Sequence, residues 1–347
     1  MKNIVLTGGG TGGHIIPNLA LVPILTRYFN IYYLGEQNSL EEEIITKHKN
    51  ITFVPIHAVK LERKLTLKNL FIPFKLIKYI RECKKKLKEI KPSVIFSKGG
   101  FVSLPVAIAG KKLNIPVFSH ESDLSMGLAN KIILRYSNIL FTSFRETCVG
   151  NKCVYSGNPI RKEVFNGNKE IAKNICNFKT HKPVLLFFGG SKGSQFINQF
   201  VFSNIKKLSN FNIIHFVGKN NLKNINEDNY FQIDFAENIY DFFALADIVI
   251  CRAGANSIFE LLAIKKLMLL IPLSAKISRG DQIENAKSFQ KSGFANIIFE
   301  EELSLKTFQD KISELQQNKE YFFTNMGNSS IKNANKIICD YLIKYSK

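Results

Sequence analysis

Three glycine-rich turns constrain this chain more than any other feature. They fall at Gly8–Gly13, Ser97–Ser103 and Phe188–Ser194, each directly behind a short apolar run and ahead of a stretch of helical length. Short apolar runs closed by glycine read as buried strands, and their alternation with helical segments predicts parallel sheets. Such runs occur at Ile4–Leu6, Ile31–Leu34, Val94–Phe96, Val117–Ser119 and Ile139–Thr142. The pattern stops at the turn Gly157-Asn158-Pro159-Ile160-Arg161, restarts at Val184–Phe188, and continues through Ile213–Val217, Ile248–Cys251 and Met268–Ile271. The expected fold is therefore α/β: two Rossmann-like, doubly wound parallel-sheet domains facing a central cleft, where the carboxyl ends of both sets of strands would present their loops to ligands. The boundaries fall at 1–160 and 161–324, and a final stripe of Ile331, Ile337, Ile338, Tyr341 and Leu342 predicts a docking C-terminal helix within about 325–347.

Composition narrows the function classes. With 45% hydrophobic and 22% charged residues the chain matches a soluble globular protein, and no apolar run approaches the roughly 18 residues of a membrane span. Met1–Leu6 is strand-like and lacks the basic start, apolar stretch and cleavage site of a signal peptide, so a cytoplasmic protein is expected. The six cysteines, Cys83, Cys148, Cys153, Cys176, Cys251 and Cys339, form no CxxC pair and have no histidine at ligand spacing; they are expected to be reduced packing residues, with no metal site. The net charge of +20 favours polyanionic partners: nucleic acid, anionic lipid or phosphorylated substrates. Part of that excess is accounted for by solvated lysines.

The first turn, Gly8-Gly9-Gly10-Thr11-Gly12-Gly13-His14, lets bare backbone amides approach an anion at a helix N-terminus, a phosphate or diphosphate cradle. Thr11, Gly12 and Gly13 belong to it, and His14 sets a titratable imidazole beside it. The third turn offers Ser191 to a phosphate oxygen. A single such turn is equally well explained by close strand–helix packing; three in two halves point to phosphate-bearing ligands on both sides. In Cys251–Ser257 the chain passes from strand to helix and carries Glu260 into the early turns, where its carboxylate can grip a ribose diol or simply sit near the helix N-terminus. No Asp-x-Asp occurs, so a leaving diphosphate would be neutralised by helix amides and by Arg161 rather than by a carboxylate-held metal.

Competing readings exist. Gly8, Gly10 and Gly13 also satisfy GxGxxG, with Glu36 at the distance of a ribose-binding acid, which describes a nicotinamide dehydrogenase. A nucleotide-sugar epimerase shares the fold. None of the three glycine turns ends in Gly-Lys-Ser/Thr, which excludes a Walker P-loop. A nucleic-acid-binding protein fits the charge, yet no zinc finger, homeodomain-like or RRM signature is present.

Taken in order, GGGTGGH (Gly8–His14), SKGGFVS (Ser97–Ser103), HESD (His120–Asp123), GNPIR (Gly157–Arg161), FFGGSKGS (Phe187–Ser194), CRAGANSIFE (Cys251–Glu260) and GDQIENA (Gly280–Ala286) closely resemble the MurG family of lipid II-forming N-acetylglucosaminyltransferases over nearly the whole chain. The resemblance implies a GT-B enzyme without cofactor. Its N-terminal half, joined by the last helix, would take lipid I, and its C-terminal half UDP-N-acetylglucosamine. It further implies an inverting transfer to the acceptor's C4 hydroxyl at the cytoplasmic face of the membrane, with no nucleic-acid partner but with other wall-synthesis proteins as candidate partners. By motif, Arg161 and Ser191 resemble diphosphate contacts, Glu260 the ribose acid, Gln282 and Asn285 donor-sugar contacts, and His14 the candidate general base or acceptor-diphosphate contact. His120 and Glu121 are weaker base candidates. Ser122 and Asp123 depart from the Gln and Asn that many members carry, which leaves the contact at Asp123 open.

The charge then has a use. Lys60, Arg63, Lys64, Lys68, Lys75, Lys78 and Arg81 alternate with Leu61, Leu65, Leu67, Leu70, Phe71, Ile72 and Phe74, a pattern suited to an anionic leaflet at on the order of 1 kcal/mol per nearby cation. An amphipathic helix packed on the sheet would show the same alternation.

Overall fold

The computed structural model describes residues 1–58, 72–190, 193–236, 238–329 and 333–346. The chain forms two compact units, Met1–Arg161 with Ile331–Lys347, and Lys162–Ser330.

The first unit runs β1 (Lys2–Thr7), α1 (Gly12–Leu25), β2 (Phe29–Glu36), α2 (Leu40–Ile45), β3 (Ile51–Ile56), α3 (Ile72–Ile90), β4 (Val94–Ser97), α4 (Ser103–Lys112), β5 (Val117–Glu121), α5 (Leu128–Ile133), β6 (Ile139–Thr142) and β7 (Cys153–Tyr155). The second continues with α6 (Lys169–Cys176), β8 (Val184–Phe188), α7 (Gln195–Asn204), β9 (Asn212–Phe216), β10 (Tyr230–Ile233), α8 (Ile239–Leu245), β11 (Ile248–Cys251), α9 (Ala255–Ala263), β12 (Leu267–Leu270), α10 (Asp281–Lys291), β13 (Asn296–Ile297), α11 (Leu305–Gln317) and α12 (Lys319–Gly327). The chain then returns to the first unit as α13 (Ala334–Tyr345).

The first sheet has seven strands in the order β3-β2-β1-β4-β5-β6-β7, the second six in the order β10-β9-β8-β11-β12-β13. Every pairing among the described strands is parallel. Both orders reverse direction beside the first strand of the unit, between β1 and β4 and between β8 and β11. In doubly wound sheets ligands bind at this switch point, outside the carboxyl ends of the strands.

All nine expected strands are present. The four that the apolar pattern did not announce, β3, β7, β10 and β13, are the four sheet edges. An edge strand is covered less completely than a central one, so it need not be apolar throughout: β3 carries Pro55 and is buried only at its two ends, Ile51 and Ile56, and β7 is half-buried along its length. The central strands β4, β8, β11 and β12 are buried at every position.

Ile331, the first residue of the expected stripe, lies outside the described residues; the expected C-terminal helix is present as Ala334–Tyr345, after α12 has ended at Gly327. Its buried residues Ala334, Ile338, Cys339 and Leu342 join Leu21, Leu25, Phe118 and Phe141 in one core on one side of the first sheet. Asn335 fixes the register: its amide donates to the carbonyls of Ala20 (3.2 Å) and Ile160 (2.7 Å) and accepts from the Ile160 amide (3.1 Å). The other side of the sheet packs against α3, α4 and α5 through Cys83, Leu87, Val106, Ala109 and Ile133.

The cysteine expectation is corrected in part. Cys148 and Cys153 form a disulfide, with Cα atoms 5.4 Å apart. Between them Gly150 takes a left-handed φ of +85°, and the reversal brings together two cysteines whose spacing alone suggested nothing. Cys83, Cys176, Cys251 and Cys339 are free and buried; burial pushes the thiols of Cys83, Cys176 and Cys339 up to about 12.

Candidate active site

In the first unit the turn after β1 is held from beneath. Tyr33 donates its hydroxyl hydrogen to the Gly8 carbonyl (2.5 Å), and Asn18 donates to the carbonyls of Thr7 (3.2 Å) and His14 (3.3 Å). Glu41, fully buried, lies against Gly9 and accepts the Gly10 amide at 3.3 Å. That bond occupies one amide of the cradle. Helix α1 then starts at Gly12 behind Thr11, with no side-chain cap and no acidic residue in its first turn. The N-terminal end of such a helix carries partial positive charge that suits an anion. Gly12 lies outside the left-handed region, and a Cβ there would meet nothing within 4 Å. Neither backbone conformation nor packing requires glycine at this position, so the room above it is available to a ligand.

His14 stands at the rim, partly buried, with Nδ1 2.9 Å from the Gly9 carbonyl and 3.3 Å from Thr11 Oγ1. A carbonyl only accepts, so Nδ1 carries the hydrogen and the neutral ring has its lone pair on Nε2. The second glycine turn closes against the first: Gly100, at φ +81°, approaches so near that a Cβ would lie 2.6 Å from the Gly9 carbonyl and 3.1 Å from His14 Nδ1.

Behind these loops a buried polar cluster joins His120, Glu121 and Ser122 to Lys98, a residue that the sequence did not single out. Lys98 follows β4 and is 1% exposed; its Nζ is 2.5 Å from His120 Nδ1 and also bonds Ser122 Oγ. His120 is wholly buried, and its Nε2 donates to the Gly157 carbonyl at 3.0 Å. Both ring nitrogens are thus engaged, and desolvation with the neighbouring Lys98 drives the imidazole well below its ordinary range. Glu121 accepts from the amides of Asp123 (3.1 Å) and Gly127 (3.0 Å) and from Asn130 Nδ2 (2.9 Å). His120 and Glu121, the weaker base candidates, thus have their ring nitrogens and carboxylate engaged in bonds within the first unit. Arg161, half-buried, ends the first unit. The signal that could have found Lys98 is a lysine two residues past the apolar run Val94–Phe96, at the end of a buried strand; Glu41 gave only the acidic helix start Ser39-Leu40-Glu41, with Ser39 as cap.

In the second unit the turn after β8 includes Gly190 and Gly193; Ser191, the expected diphosphate contact, lies outside the described residues. Gly193 needs its φ of +75°, and a Cβ there would strike the Val217 carbonyl at 2.2 Å. Gly254, with an ordinary φ of −70°, opens α9 without a side-chain cap and faces open space, the counterpart of Gly12. Arg252 ties the surrounding loops together. It donates to Ser194 Oγ (2.9 Å) and to the carbonyls of Ile271 (3.1 Å) and Pro272 (3.3 Å), and it pairs with Glu300 at 2.6 Å. Glu260 is the sixth residue of α9, one turn further in than a simple helix-start charge, and 7% exposed. Gln282, in the first turn of α10, accepts the Leu273 amide (3.0 Å). Asn285 is fully buried and donates to the Ala253 carbonyl (3.2 Å), so its reach to a sugar runs through the turn it braces.

Along α3 the basic, apolar surface is partly in view. Phe74 is 72% and Ile77 50% exposed, next to exposed Lys75, Lys78 and Arg81. Lys60, Arg63, Lys64, Lys68 and the apolar residues up to Phe71 lie outside the described residues. Among the described residues no helix is long and apolar enough to cross a membrane.

Comparison with known proteins gives concordant results. The glycosyltransferase family 28 N-terminal domain matches residues 4–142 and the family 28 C-terminal domain residues 184–341. A Clostridium tetani protein, named UDP-N-acetylglucosamine–N-acetylmuramyl-(pentapeptide) pyrophosphoryl-undecaprenol N-acetylglucosamine transferase, is 47% identical over 99% of this chain and 98% of its own. Among solved structures, Acinetobacter baumannii MurG superposes with a TM-score of 0.78 at 23% identity, covering 99% of this chain and all of that one. A UDP-GlcNAc 2-epimerase from Neisseria meningitidis, bound to UDP-GlcNAc, reaches 0.70 at 14% identity, covering 99% of this chain and all of that one. The structural likenesses establish the fold.

Proposed function

The chain belongs to glycosyltransferase family 28 and, within it, to the MurG family, and from that premise we propose that it moves N-acetylglucosamine from UDP-N-acetylglucosamine to the C4 hydroxyl of lipid I, giving lipid II. The observation that carries this reading is full-length identity of 47% to a transferase of that name, joined to glycine-opened helix starts at the switch points of two separate sheets. The dehydrogenase reading used only one of these helix starts, and the epimerase shares the fold at 14% identity.

In the proposed reaction the first unit holds the lipid-linked acceptor and the second the nucleotide sugar. His14 Nε2 takes the proton of the acceptor hydroxyl or contacts the acceptor diphosphate. The hydroxyl oxygen attacks the anomeric carbon, the bond to the UDP oxygen breaks, and inversion gives a β-1,4 linkage. Amides of the α1 and α9 starts, with Arg161 and Ser191, stabilise the diphosphate charge, Glu260 binds the ribose and Gln282 the sugar. In this reading the enzyme is a peripheral protein of the anionic cytoplasmic leaflet, next to its lipid substrate, and the basic, partly apolar surface of α3 supports it.

The test is transfer of radiolabelled N-acetylglucosamine to a short-chain lipid I analogue in the presence of EDTA, comparing the wild type with His14→Ala and Glu260→Ala. Metal-independent transfer, crippled in both variants, is expected. Absence of transfer together with absence of UDP-sugar binding would overturn the proposal.

A further inference from the structure

We infer that Lys98 is a positioning residue for the acceptor half of the reaction, acting through His120 and Ser122 to hold the first unit's loops in one arrangement. The inference rests on the reading of the first unit as the acceptor side. Its starting observation is chemical. A lysine is among the costliest side chains to bury, yet Lys98 is 1% exposed, directly behind a central strand, and next to the turn that closes on His14. Such a residue is retained where its donors fix something.

The contacts show what is fixed. From the end of β4, Nζ reaches His120 Nδ1 and Ser122 Oγ at the end of β5. His120 passes the connection to the Gly157 carbonyl, and Ser122 donates to Asn158 Oδ1 at 3.1 Å, which also accepts from Ser143 beyond β6. One amine therefore joins the loops behind β4, β5, β6 and β7, and through Gly99 and Gly100 it is continuous with the turn packed on Gly9 and His14. Glu121 and Asp123 supply the opposing charge, while desolvation pulls the amine down to about 7. The same network gives Ser122 a reason to be present: a short hydroxyl both accepts from Nζ and donates to Asn158, leaving the adjacent Asp123 partly exposed at the loop.

Lys98→Met keeps length and removes the donors; Ser122→Ala removes one anchor and little volume. Both are assayed with donor and acceptor varied independently, and UDP affinity is measured by calorimetry. For Lys98→Met the acceptor KM is expected to rise by about tenfold or more, the scale of losing hydrogen bonds from a charged group, with donor KM and UDP affinity within about twofold. Ser122→Ala should move the acceptor KM in the same direction by about threefold. A residue that merely supports folding would lower the active fraction, and so kcat, without this split. Unchanged acceptor KM in both variants overturns the inference; if Lys98→Met fails to fold, Ser122→Ala decides alone. A wild-type chain that makes no lipid II analogue overturns the functional reading instead.

Discussion

At the scale of single residues, glycine marks the site in two different ways. Gly100 and Gly193 are glycine because the fold demands it, through positive φ and carbonyls where a Cβ would lie. Gly12 and Gly254 are glycine although the fold would accept more. Gly12→Ala should therefore leave stability unchanged or raise it by up to about 1 kcal/mol, since alanine is the better helix former, while transfer falls at least about tenfold by obstruction of the cradle. Urea titration beside the transfer assay checks both halves; equal loss of stability and activity would refute the ligand role. Lys98 supplies a pH prediction. The unfolded chain keeps this proton up to the ordinary value of 10.5, whereas the folded protein releases it at about 7. Between these values the unfolded state binds more protons, so this group adds stability as pH rises. Unfolding free energies at pH 7 and 9 should show that gain in the wild type and a smaller one in Lys98→Met.

At the scale of elements, α3 and α13 do opposite things with similar amphipathic sequences. Helix α13 buries Ile338 and Leu342 completely, and Leu342→Ala should cost about 2–5 kcal/mol, as large-to-small core changes do, read from a shifted denaturation midpoint. Helix α3 buries Ile80, Cys83 and Leu87 but leaves Phe74 and Ile77 outside, amid lysines. Replacing Phe74 and Ile77 with aspartate should abolish binding to vesicles of anionic lipid while leaving turnover of a short-chain, water-soluble acceptor within about twofold, because the change is confined to a surface. Retained vesicle binding would assign this face to something other than a membrane.

At the scale of the whole molecule, two cores are built from one chain that leaves the first unit at Arg161 and returns to it after Ser330. Asn335 bonds both Ala20 and Ile160, so the returning helix braces the point of departure. A chain ending at Asn333 should lose thermal stability in the first unit while the second still binds UDP, which differential scanning calorimetry with and without UDP resolves.

The two parallel-sheet units, the nine central strands and the glycine turns at their ends follow from the residues alone, because burial on both faces forces apolar runs and sharp strand-to-helix turns force glycine. The motifs then identified the family, and the comparisons agree. The edge strands β3, β7, β10 and β13 were not legible, since an edge strand is not held to that uniform burial. Folding in three dimensions sets Glu41 beneath the first turn, joins Lys98 and His120 in one buried bond, and braces the turn at Ala253 with Asn285. Each of these joins residues from different strands or helices, and a one-dimensional pattern records spacing along the chain but not proximity across it. The same reason applies to Cys148 and Cys153: the residues were visible, and the turn that joins them was not.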